Sequence, residues 1–89
     1  MLRAIASKGF EKDLKKLNKK HYNIKRLDDV IDLLVNQLPV PKKYKLHSLK
    51  GNLQGYKVCH IESNWLLIFY ETEDAIILAR TGSHDELFK

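Results

Sequence analysis

With 89 residues and a net charge of +5, the chain has material for one small core and none for a second, so residues 1–89 are expected to form a single domain. The opening MLRAIASKGF has too short an apolar part for a secretory signal, and no run approaches the length of a membrane span. Cys59 is the only cysteine, which excludes an internal disulfide and a thiolate zinc site and fits a reducing, cytoplasmic setting.

The charge is divided unevenly. Residues 1–45 carry 12 Lys/Arg against 5 Asp/Glu, while residues 46–89 carry 4 against 6. The first half is therefore the part that attracts phosphates or an acidic protein.

In chain order, Leu2, Ala4 and Ala6 alternate with Arg3 and Ile5, which predicts a short strand, and Ser7 offers an N-cap oxygen for a helix after it. Phe10, Leu14 and Leu17 form its apolar stripe, with Lys12, Lys15, Lys16, Lys19 and Lys20 mostly outside it. A second helix is predicted from a cap at Asn23, burying Ile24, Leu27, Val30, Ile31, Leu34 and Val35 and stopping before Pro39 and Pro41. The connection at His21–Asn23 is short, so the two helices lie antiparallel, and His21 is read as a surface residue.

Tyr56–Ile61, Trp65–Tyr70 and Ala75–Arg80 are rich in β-branched and aromatic residues and are separated by polar turns. They predict an antiparallel meander, and the unbroken apolar run Leu66–Phe69 marks its middle strand as covered on both faces. Cys59 is expected as a small buried hydrophobe on the first of these strands. The class is α+β: an N-terminal strand, two antiparallel helices, then an antiparallel sheet. His47–Gly55 is expected as a polar loop linking helices to sheet.

Three of the four histidines, His47, His60 and His84, fall in this second half together with Arg80. Histidine exchanges protons near neutral pH, and arginine supplies a fixed cation for a phosphate that gains charge in a transition state. Simple alternation groups Tyr56 and Val58 with His60, and Ile76 and Leu78 with Arg80, so His60 and Arg80 are candidates for joint presentation on the sheet. His84 lies just past the last strand, while nothing local fixes the direction of His47. Trp65 and Phe88 are candidates for stacking on bases, with ordinary core the alternative for Trp65. No histidine pair has the i, i+4 spacing of a helical metal site, and no metal or cofactor is expected. Glycine-rich phosphate loops and the G-x-S-x-G turn are also missing.

The segments HSLKG at 47–51, GYKVCH at 55–60, NWLLI at 64–68 and RTGSHDELF at 80–88 resemble the YafQ branch of the RelE toxin superfamily. The resemblance spans nearly the whole chain and implies a RelE-like, microbial-ribonuclease-like fold with ribosome-dependent, metal-independent cleavage of messenger RNA. It implies catalytic roles for His47, His60, Arg80 and His84, and roles in activity or substrate placement for Trp65 and Phe88. It also implies a DinJ-like antitoxin as partner, with operator DNA reached only through that antitoxin. One position departs from the pattern: where this branch usually has Asp before the tryptophan, the chain has Asn64, and an amide cannot act as a general base. A weakened toxin that mainly binds antitoxin or RNA, and a ParE-like gyrase inhibitor of the same fold, are the alternatives. The second would not need the histidines.

Overall fold

The computed structural model describes residues 1–88. The chain runs β1 (Arg3–Ala6), α1 (Lys8–Lys19), α2 (Ile24–Val35), β2 (His47–Ser48), β3 (Lys57–Glu62), β4 (Trp65–Glu71), β5 (Ala75–Gly82) and α3 (His84–Leu87), with single 3₁₀ turns at Lys42–Tyr44 and Gly51–Leu53.

Local sequence accounts for most of these boundaries. Ser7 caps α1 as expected, its Oγ accepting from the Phe10 amide at 3.1 Å while its hydroxyl donates to the Ala79 carbonyl of β5 at 2.8 Å. One side chain thus starts the helix and fastens it to the sheet. His21 is exposed and adopts a left-handed backbone (φ 62°) in the turn between α1 and α2. Asn23 does occupy the position before α2, but its side chain makes no capping bond, contrary to the cap expected from sequence.

The five strands form one sheet in the order β1-β5-β4-β3-β2. β3, β4 and β5 are the antiparallel meander anticipated from the sequence, with β4 in the middle. The edges are the additions. β1 pairs parallel with β5 in the register Ala4↔Ile76, and His47–Ser48, expected as loop, pairs antiparallel with β3 in the register His47↔Val58. A parallel partner 72 residues downstream (Ala4↔Ile76) leaves no local sequence signal, because both helices lie between the two strands.

α1 and α2 cover one face of the sheet. Phe10, Leu17, Leu27, Val30 and Leu34 bury against Cys59, Ile61, Trp65, Leu67, Phe69, Ile76 and Leu78. The opposite face holds a smaller cluster, Val58, Leu66 and Ile68, with Leu49, Tyr56, Leu87 and Phe88 packed on it. The apolar run of β4 is divided between them: Leu67 and Phe69 go to the helices, Leu66 and Ile68 to the other side.

The alternation predicted for β5 fails at one point. Phe69 pairs with Leu78 but Ile68 pairs with Arg80, so Ala79 is an extra residue, a β-bulge. Leu78 stays on the helix side, and Arg80 is turned to the face that carries Val58 and Ile68. Without that bulge, Arg80 would share the helix-covered face with Ile76 and Leu78.

Candidate active site

Each of the three histidines comes from a different element. His47 begins β2, His60 stands on β3, and His84 is the first residue of α3. His60 and Leu66 are paired across β3 and β4, which places His60 over the smaller apolar cluster. His47, His60, His84 and Phe88 line one hollow of about 350 Å³, floored by Leu49, Val58 and Leu66. The rings of His47 and His60 are 6.1 Å apart, and that of His84 lies 5.1 Å from Phe88.

The rings of His47 and His60 differ in their hydrogen bonding. His47 Nδ1 is 2.8 Å from the Lys45 carbonyl, a partner that can only accept, so Nδ1 carries the proton and in the neutral ring Nε2 is left as a base. His60 Nδ1 is buried without a partner. Burial, followed by the charges of Lys45, His47 and His84, lowers the pKa of His60 below its ordinary 6.5, so His60 is neutral at pH 7.

His84 is positioned by its main chain. Ser83 caps α3 through a reciprocal capping box with Glu86: Ser83 Oγ accepts from the Glu86 amide at 3.2 Å, and the Glu86 carboxylate accepts from the Ser83 amide at 3.1 Å. The amide of His84 donates to Asn64 Oδ1 at 3.3 Å. Asn64, in the turn between β3 and β4, therefore ties the start of α3 to the sheet. The S-x-x-E spacing of this cap is legible in the sequence, although α3 itself was not anticipated there.

Arg80 is on the same face but not in the histidine hollow. It lines the adjoining one, with Tyr56, Ile68, Tyr70 and Leu87. Its Nε and one terminal nitrogen donate to the two carboxylate oxygens of Asp13 at 2.6 and 3.1 Å, and Asp13 also accepts from the Thr81 amide at 3.1 Å. The Asp13 hydrogen bonds hold the guanidinium protonated, and a two-point grip fixes its plane while leaving other N–H groups free. Gly9 makes room for this arrangement, since a Cβ there would sit 3.1 Å from Arg80 Cδ. Sequence reading missed Asp13. The signal was its place among Phe10, Leu14 and Leu17, an acid inside an apolar stripe.

Trp65 does not meet the expectation of a stacking residue. It is 1% exposed on the helix side, edge-on to Tyr22 at 5.0 Å, with Nε1 donating to Thr81 Oγ1 at 2.9 Å. Neither ring face is open to a base, so Trp65 belongs to the core, while Phe88 does border the hollow. Among the described residues, no three His, Cys, Asp or Glu side chains gather as a metal site requires.

A helix-backed sheet with a histidine-lined hollow on its open face defines the class: a small α+β domain with a candidate active site opposite its helices. The model of the family described as bacterial toxin of type II toxin-antitoxin system, YafQ, matches residues 2–89, and the chain belongs to this family. It is 39% identical over 80 residues to the mRNA interferase toxin YafQ of Escherichia coli K12, covering 89% of this chain and 87% of that protein. Similar solved structures include YafQ in the E. coli DinJ-YafQ complex (TM-score 0.91, 36% identity, 100% of both chains). Another is a metal-bound toxin from Helicobacter pylori (TM-score 0.93, 41% identity, 99% of this chain and all of that one).

Proposed function

We propose that this toxin is an endoribonuclease that cuts messenger RNA on the ribosome, using His47, His60, Arg80 and His84 as its catalytic groups. The observation that carries the proposal is the convergence of three histidines in one hollow, one with a free Nε2 and one held neutral.

The RNA's own 2′-oxygen is the nucleophile. His47 or His60 accepts the 2′-OH proton as the O2′–P bond forms. His84 donates a proton to the 5′ oxygen as the P–O5′ bond breaks, leaving a 2′,3′-cyclic phosphate and a 5′-OH. Arg80, one hollow away and held by Asp13, steadies the charge gathered on the phosphoryl oxygens with its remaining N–H groups. Phe88 supports a base beside His84. No cofactor enters this scheme, and chelation of metals is expected to leave cleavage intact.

Asn64 orients rather than exchanges protons. Its Oδ1 already accepts the His84 amide, so the residue serves the acid by holding its backbone. This supports an active enzyme over one weakened by the lack of a carboxylate. The histidine constellation likewise supports a ribonuclease over a gyrase inhibitor.

A DinJ-like antitoxin is the proposed partner, with operator DNA contacted only through it. The lysine-rich first half is suited to an acidic antitoxin segment or to ribosomal RNA. The substrate places the toxin in the cytoplasm; among the described residues no helix is long and apolar enough to cross a membrane. The test is primer extension on a reporter message in cells expressing wild type or His84→Ala. Discrete cuts from wild type alone are expected, and equal cutting by His84→Ala removes the proposed acid.

A further inference from the structure

His60 also borders a second hollow. On the side away from His84, a space of about 290 Å³ opens between the 3₁₀ turn Lys42–Tyr44, α2 and β3, lined by Arg26, Lys43, Tyr44, Lys45, His60 and Glu62 among others. It exists because β2 is only two residues long. The ladder between β2 and β3 runs from Ser48↔Lys57 to His47↔Val58 and ends there, so β3 from His60 onward has no strand on its outer edge. Continuing the register would put Lys45 opposite His60. Lys45 instead takes a left-handed backbone (φ 48°, ψ 44°), which breaks the strand and delivers its side chain to the rim of the hollow.

That conformation is costly for a residue with a Cβ, and two bonds hold it: the Lys45 amide donates to the Lys42 carbonyl, and the Lys45 carbonyl accepts from His47 Nδ1. The same residue thus fixes the proton of His47 with its main chain and charges the second hollow with its side chain. The cations here are not equivalent. Arg26 is engaged by Glu62 at 3.3 Å, whereas among the described residues Lys43 and Lys45 have no carboxylate within ion-pair distance. The Lys43 ammonium lies 5.1 Å from the centre of the Tyr44 ring, which limits its wandering.

We infer that this hollow is a second RNA subsite, in which Lys43 and Lys45 hold the phosphate next to the scissile one. The inference rests on the ribonuclease reading above. A single strand with its reacting phosphate among His47, His60 and His84 passes over His60, the wall common to both hollows, and brings a neighbouring phosphate to the two free ammonium groups. His60 then serves two purposes. It faces the reacting nucleotide and separates it from the next.

The test titrates ¹⁵N-labelled toxin, freed of antitoxin, with a 2′-O-methyl RNA trinucleotide that binds but cannot be cut. Amide shifts at Lys43–Lys45 and Glu62–Ser63 are expected together with those at His47 and His84. The exposed double variant Lys43→Gln/Lys45→Gln should weaken binding about fivefold or more and flatten its salt dependence by about 0.7 in log–log slope per lost phosphate contact.

Shifts confined to the histidine hollow, no shifts at all, or unchanged affinity and salt slope in the double variant would overturn the subsite. So would a variant that binds RNA normally but loses antitoxin, which would make the hollow a protein contact. The parent reading is checked separately by cleavage of ribosome-bound message with wild type against His84→Ala. Cleavage there alongside silence at Lys43–Lys45 defeats the subsite alone; absence of cleavage by wild type defeats both.

Discussion

Leu66–Phe69 contributes two side chains to each face of the sheet, yet the faces have different fates. On one, Leu67 and Phe69 meet two amphipathic helices and the packing is continuous. On the other, Leu66 and Ile68 meet Val58 and a thin cover from Leu49, Tyr56, Ala79, Leu87 and Phe88, and part of the remaining space becomes the histidine hollow. The apolar floor on the second face acts on the ring above it. It excludes water from below His60 and keeps that ring neutral, while leaving the upper side open to a substrate.

The sharpest way to break this division is to remove the proposed proton donor on the open face. His84→Ala should lower cleavage by about 10²–10⁴-fold, with the melting temperature nearly unchanged because His84 is exposed. A comparable loss of stability would place His84 with the core instead. The converse experiment targets the covered face. Trp65→Ala should cost about 3–5 kcal/mol in denaturant unfolding, since the substitution empties a site that is 1% exposed and removes the N–H that Thr81 Oγ1 accepts, leaving that hydroxyl only its own bond to the Leu66 carbonyl. Phe88→Ala, at the open hollow, should by contrast raise the KM for cleavage with a smaller change in stability.

Asp13 connects the two faces, so its replacement should register on both. Asp13→Asn keeps the shape but weakens the grip on Arg80, for an expected cost of about 1–3 kcal/mol in stability and a fall in kcat exceeding any rise in KM. An unchanged kcat would show that Arg80 needs no fixed orientation.

Asn64→Asp should produce a smaller, opposite effect. A carboxylate there still accepts the His84 amide and adds favourable charge at the start of α3, so single-turnover cleavage near neutral pH should become a few-fold faster. No gain would mean that the amide already does all that the position requires.

The smallest expected effect is on pH dependence. Because the folded-state pKa of His60 is lowered, the ring stays neutral as pH falls past 6.5, and the acid limb of the rate profile, where His60 is the base, should lie below that value. Lys45→Gln removes one of the charges opposing protonation and should move the limb upward. The sign for stability follows from the same shift: the unfolded chain binds the proton more readily, so stability should decline as pH drops from 6.5 toward the folded pKa. A rate profile indifferent to Lys45 would assign the base to His47.

Periodicity and composition were enough for the helices, the middle strand and the Ser7 cap, because each depends on residues within a turn or two of one another. They were also enough to single out the three histidines as a group. They could not say that His47 belongs to a strand, since a two-residue ladder has no period of its own and depends wholly on β3. An aromatic ring such as Trp65 suits either core or stacking on sequence grounds; its Thr81 and Tyr22 partners decide the matter. Asp13 carried a faint local signal, an acid among apolar neighbours, whose meaning required Arg80 67 residues away.

What the chain alone determines, then, is the set of elements and the chemical inventory: an amphipathic basic hairpin, a meander, and histidines with an arginine in its second half. Tertiary structure decided which face each group occupies. The extra residue at Ala79 moves Arg80 off the face of Ile76 and Leu78 while Asp13 of α1 still grips its guanidinium, the parallel pairing of β1 completes the sheet, and the short β2 leaves the edge of β3 open beside His60. Side-chain direction reverses with every residue of a strand, so a single bulge or a missing ladder step reassigns a residue from core to cleft. Such steps are set by pairing between distant segments, where local sequence carries no instruction.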